Sequence, residues 1–158
     1  MTFYIDIQNT LPDALPVTDE ELTRFAEMAL DGRLPSAELT IRLVSPDEMI
    51  HLNHTYRKKN APTNVLSFPF SLPEVVELEC PLLGDVIICP EVLDREHQEQ
   101  HKTVKEHWAL IVIHGVLHLI GYDHIRDDDA KIMQGIEIQL LERLGYDNPY
   151  LNEEDQVE

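Results

Sequence analysis

The sequence predicts a single α+β domain: a small mixed four-stranded sheet packed with about five helices, one of them central. Three observations predict it. Short apolar or alternating runs that suit strands are interleaved with amphipathic stretches opened by capping signals. The segment from Trp108 to Ile113 is apolar on every side, as a helix enclosed by other elements must be. The chain has 158 residues, 43% apolar and 27% charged, enough for one real core without a second domain.

Phe3 to Ile7 alternates apolar and polar residues and predicts a first strand, with Pro12 and Pro16 marking the loop after it. Thr18 and Glu21 form a T-x-x-E capping box ahead of Leu22, Phe25, Ala26, Ala29 and Leu30 at helical spacing, and Gly32 is the stop. Leu39 to Val44 alternates again and predicts a second strand. Ser45, Pro46 and Glu48 then read as an N-cap, an N1 proline and an N3 acid. They open a second helix with the stripe Met49, Leu52 and Tyr56 and with Arg57 at its C-terminal end. Thr63 to Phe70 predicts a third strand. Ser71 to Leu83, with two prolines and mixed polarity, predicts a loop, a candidate flap beside a site. Val86 to Cys89 is a short continuous apolar run, as in a buried central strand. Pro90 opens a third helix to about His101, and Thr103 caps a fourth that runs to about Ile120. Asp127, Asp128 and Asp129 suit the N-terminus of a fifth helix, whose core stripe is Ile132, Met133, Ile136, Leu140 and Leu144 before Gly145. Residues 1–150 are thus one domain, a metal-dependent hydrolase on the reading below. Residues 151–158 form an acidic tail, expected to be disordered, with Glu153, Glu154, Asp155 and Glu158.

Composition narrows the function. The formal charge of −18 opposes general attraction to a polyanion, since nucleic-acid affinity comes largely from Lys and Arg neutralising phosphates. The only dense basic run is Arg57-Lys58-Lys59, so RNA contact must be local or assisted by a basic partner. No apolar run reaches the length of roughly 18 residues that a membrane span needs. The N-terminus lacks the basic and apolar regions of an export signal, which predicts a cytoplasmic protein. Cys80 and Cys89 are lone thiols with no C-x-x-C, expected to be packing residues in a reducing compartment.

The stretch that carries chemistry is His114-Gly115-Val116-Leu117-His118-Leu119-Ile120-Gly121-Tyr122-Asp123-His124, with histidines spaced H-x3-H-x5-H. Residues four apart share a helix face, so His114 and His118 can address one point. Gly121 offers a left-handed position that ends the helix and turns His124 back over that point. Three imidazoles with a fourth position open form a catalytic zinc arrangement, one Zn2+ per chain, which brings the pKa of a bound water to about 7. The same spacing occurs in His97, His101 and His107, but there a Thr103/Glu106 capping box starts a new helix inside the trio and the flanks are polar. His107 lies about 10 Å from His114 along a helix axis, too far to share its metal. It either lines a groove or is a half-buried surface residue; His51 and His54 are expected to be exposed.

A zinc-activated water could attack phosphorus or a carbonyl carbon. In H-E-x-x-H metallopeptidases a Glu after the first His is the general base; Gly115 stands there instead, a small residue that leaves room for a bulky substrate. Phosphoryl chemistry needs a cation, and the guanidinium fork of Arg57 suits a phosphate. That arginine could equally answer the dipole of its helix. Asn64 and Ser67 could bind substrate or be turn and strand hydrogen-bonders. Asp85 could accept from a zinc-bound imidazole or belong to a turn. Asp123 is read as holding its turn.

The motif H-G-x-L-H-L-x-G-Y-D-H resembles the signature of the YbeY family, bacterial rRNA-maturation endoribonucleases. Tyr56-Arg57, Pro62-Thr63-Asn64-Val65-Leu66-Ser67-Phe68-Pro69 and Leu83-Gly84-Asp85-Val86-Ile87-Ile88-Cys89 resemble further blocks of the family, in family order and over nearly the whole chain. Asn60 departs from it, where the family more often has Asp. The resemblance implies zinc on His114, His118 and His124, a zincin-like fold, catalytic importance for Arg57 and His114, and a single-strand-specific endoribonuclease. It implies action in 16S rRNA 3′-end maturation and late ribosome quality control, with rRNA and the small ribosomal subunit or its basic proteins as partners. Two alternatives stay open: a non-catalytic ribosome-assembly factor with a structural metal, and a metal-dependent hydrolase of another bond. The sequence does not set the oligomeric state.

Overall fold

The computed structural model describes residues 2–57, 63–70, 81–123 and 125–150, with only the backbone of Tyr56 and Arg57. The elements follow the order β1 (Thr2–Asn9), α1 (Asp19–Leu30), β2 (Ser36–Leu43), α2 (Pro46–Arg57), β3 (Val65–Pro69), β4 (Leu82–Ile88), α3 (Pro90–Glu99), α4 (Val104–Leu119) and α5 (Asp127–Arg143). The four strands and five helices are those expected from the sequence. The sheet order is β1-β2-β4-β3, with β1, β2 and β4 parallel and β3 antiparallel to β4 at the edge.

Strand alternation sorts side chains onto two faces. Ala37, Leu39, Ile41 and Leu43 of β2 and Val86 and Ile88 of β4 join the larger core with α1, α4 and α5. Leu66 and Ile87 face the other way, into a smaller cluster with Met49 of α2 and Val92 of α3. α4 is the centre of the first core: eleven of its residues are buried, Trp108 among them. Such enclosure removes about 1.5–3 kcal/mol of apolar exposure per large side chain.

The capping signals do what their chemistry requires. The Thr18 and Thr103 hydroxyls accept from the amides of Glu21 and Glu106, whose carboxylates accept from the cap amides in return. Each such cap contributes on the order of 1 kcal/mol. Ser45 caps α2 through the amide of Glu48, and Pro90 stands in the first turn of α3.

Two expectations are corrected. Leu82 and Leu83 belong to β4 rather than to the preceding loop, because Glu38 of β2 extends the parallel ladder down to Leu82. The proposed flap over residues 71–80 lies outside the described residues, as do Cys80, the acidic tail and the run 58–62. Ile132 is 56% exposed: α5 turns Met133, Glu137, Leu140 and Leu141 to the core instead. The other residues of the expected stripe, Met133, Ile136, Leu140 and Leu144, do pack against the core, and the buried carboxylate of Glu137 joins that face.

Candidate metal centre

The site forms where the C-terminal turns of α4 meet β3. α4 ends as its glycine predicts. Gly121 adopts φ +107; its amide donates to the His118 carbonyl, and the Tyr122 amide donates to Leu117. This is a Schellman closure, which reverses the chain after α4. Asp123 holds the reversal by accepting from the Ile125 amide at 3.0 Å, the turn role expected of it.

His114 and His118 line one cavity of about 460 Å3, walled on the far side by residues 63–67 and flanked at its mouth by Asp123 and Ile125. A larger hollow, about 760 Å3, opens beside the N-terminal end of α4 around Trp108 and residues 11–16, but it contains no imidazole. Size and chemistry therefore select different places, and the donor atoms favour the smaller one.

The side chain behind His114 is one that sequence reasoning missed. Glu137 of α5 is 1% exposed and lies 2.8 Å from the Nδ1 of His114. Its other oxygen accepts from the Tyr150 hydroxyl at 2.5 Å. An ionised carboxylate can only accept, so the tautomer assigned from this contact carries its proton on Nδ1. The Nε2 lone pair of His114 is then the one able to hold a metal, with the carboxylate behind it fixing the ring's orientation. The donor chemistry thus fits zinc. The signal available in the sequence was a Glu four residues after Met133 and three before Leu140, on a core face where a carboxylate is costly unless bonded.

Asp85, which could accept from a metal-binding imidazole or belong to a turn, is an exposed residue within β4. It neighbours Val86, which faces α4, so strand alternation turns Asp85 to the opposite side of the sheet. Ser67 donates to the Gly115 carbonyl at 2.8 Å and so ties β3 to α4. Asn64 donates to both oxygens of Glu96 at 3.2 and 3.3 Å. His107 is neither groove-lining nor half-buried: it is 2% exposed, with Nε2 3.0 Å from the same Glu96. His51 and His54 are exposed, as expected.

Gly115 also has a different reason from the one expected. A Cβ at this position would lie 2.7 Å from Val86 Cγ1 and 3.1 Å from Val65 Cγ2. The missing side chain admits the sheet, not a substrate. A side chain there would force Val86, and with it Val65 or the helix, to shift.

His124 and the Arg57 side chain lie outside the described residues; the backbone places Arg57 at the last residue of α2. Among the described residues no three metal-binding side chains cluster, since the trio contributes only His114 and His118 to them. No helix among them is long and apolar enough to cross a membrane. Burial pushes the Cys89 thiol above its usual range, which keeps it protonated and inert.

Comparison with known proteins agrees with the motifs. The family model described as Endoribonuclease YbeY matches residues 7–145. Curated proteins named Endoribonuclease YbeY from Legionella pneumophila strains Corby, Lens and Paris are each 59% identical over 158 residues, covering all of both chains. The solution structure of TM1509 from Thermotoga maritima superimposes with a TM-score of 0.58 at 23% identity, over 98% of this chain and 93% of that one, a likeness of fold. By the family model and these full-length relatives, this chain belongs to the YbeY family.

Proposed function

We propose that this protein is a zinc-dependent, single-strand-specific endoribonuclease acting in 16S rRNA 3′-end maturation and late ribosome quality control. The observation that carries the reading is the His114–Glu137 contact beside a cavity shared with His118, in a chain whose relatives are named endoribonucleases. His114, His118 and His124 would hold one Zn2+. Bound there, the ion supplies a Lewis acid and a water acidic enough to ionise near neutral pH. Glu137 keeps His114 in the tautomer that can ligate. Arg57, at the end of α2, supplies the cation that a phosphodiester needs as charge builds on its oxygens.

Gly115 argues against a peptidase, because the position after the first histidine carries no general-base carboxylate and is packed closely by Val86. The charge of −18 suits a protein that reaches rRNA beside basic proteins of the small subunit rather than by general attraction. The reading places the protein in the cytoplasm. The test is cleavage of single-stranded and structured RNA by the zinc-loaded protein, His114→Ala and Arg57→Ala. The reading expects single-strand cleavage lost in both variants; cleavage that survives both would overturn it.

A further inference from the structure

Beyond α5 the chain does not simply trail away. Gly145 adopts φ +91 and closes α5, and the segment then returns across it with Tyr146 and Tyr150 packed against the main core. The Tyr150 amide donates to Asn148 Oδ1 at 2.8 Å, a turn that fixes where the ring points. Its hydroxyl ends on Glu137, the carboxylate that faces His114.

We infer that Tyr150 is a positioning residue of the metal centre, acting on His114 through Glu137. The chemistry is that of a buried carboxylate with two oxygens and two donors. One oxygen takes the Tyr150 hydroxyl and the other takes the Nδ1 proton of His114. At 1% exposure Glu137 has little water to replace a lost donor. Without the hydroxyl, the carboxylate can rotate toward His114 or soften its hold on it. In either case the His114 ring is no longer held in the plane that the two-donor arrangement sets. Partners of this kind typically change metal affinity by about 10- to 100-fold. Residues 146–150 thus act at the site although none of them lines the cavity.

This inference rests on the reading that His114 binds zinc, and the experiment separates the two. Zinc dissociation constants are measured by chelator competition for the full-length protein, Tyr150→Phe, Glu137→Gln and His118→Ala. The protonation of the His114 ring nitrogens in the metal-free protein is followed by nitrogen NMR. Tyr150→Phe is expected to weaken zinc binding about tenfold or more and to shift the His114 ring-nitrogen signals, with Glu137→Gln weakening it further. Thermal unfolding of the metal-free variants registers any loss of anchoring separately. Wild-type affinity in Tyr150→Phe, with or without a fall in melting temperature, would overturn the positioning role and leave the zinc reading intact. Equal zinc binding by wild type and His118→Ala would overturn both.

Discussion

Two histidine trios of identical spacing occur within one 28-residue stretch, 97–124, and meet different fates. The first is pulled apart. His97 sits on α3 with Nδ1 near the Lys102 carbonyl, and His101 takes a left-handed backbone at φ 55 between helices. His107 is buried one turn into α4. The second keeps His114 and His118 on one helix beside one cavity. The sharpest contrast is within α4, between His107 and His114. Both face a carboxylate, but through different nitrogens: His107 through Nε2 to Glu96, His114 through Nδ1 to Glu137. The first ring is 2% exposed, the second 26%. A histidine becomes available to a metal when the protein occupies its Nδ1 from behind and leaves Nε2 toward a cavity. Spacing alone decides neither.

Four measurements can break or sharpen that contrast. The largest effect belongs to zinc affinity: His118→Ala should lose more than about 100-fold, beyond what supporting residues give, while His101→Ala stays at the wild-type value. Metal loss in His101→Ala would erase the distinction between the trios. Next comes stability. His107→Ala removes a buried ring and one donor to Glu96, and urea denaturation should show a cost of about 2–3 kcal/mol with zinc affinity unchanged. Thr103→Ala removes the cap that divides the first trio, and should cost about 1 kcal/mol, again without touching zinc.

The smallest effect is a pH dependence at the same end of α4. Glu21 holds its proton less tightly than an ordinary carboxylate, first because the Thr18 amide donates to it and then because Lys105 lies 3.0 Å away. A depressed folded-state value means the contribution is full above the ordinary carboxylate range and disappears as pH falls through the folded value. Glu21→Gln should therefore be less stable than wild type at neutral pH, by under about 1 kcal/mol for so exposed a pair. The difference should close in acid, and a gap that widened there would contradict the assignment.

Much of this fold was legible from residue patterns. The element order, both capping boxes, the enclosed α4 and the Gly121 reversal follow from local signals, because caps and left-handed turns are decided within a few residues. The two imidazoles beside the cavity were legible for the same reason, being four apart on a helix already identified as buried. Other features were not. Asp85 could be chosen as an imidazole partner only by ignoring which way β4 faces, and that depends on which side of the sheet α4 covers. The burial of Glu137 could not be read from α5 alone, because the imidazole it faces lies on α4. Gly115 needed the position of Val86 to be explained.

By itself, then, the sequence determined the elements, their caps and the two histidines at the cavity, since each depends on backbone geometry and spacing within a turn or two. Only the tertiary structure decided which carboxylate stands behind which imidazole, and so which ring nitrogen can accept a metal. Those contacts join residues 23 apart for His114 and Glu137, and 11 apart for His107 and Glu96. No local rule reaches that far; they are fixed by how α3, α4 and α5 pack.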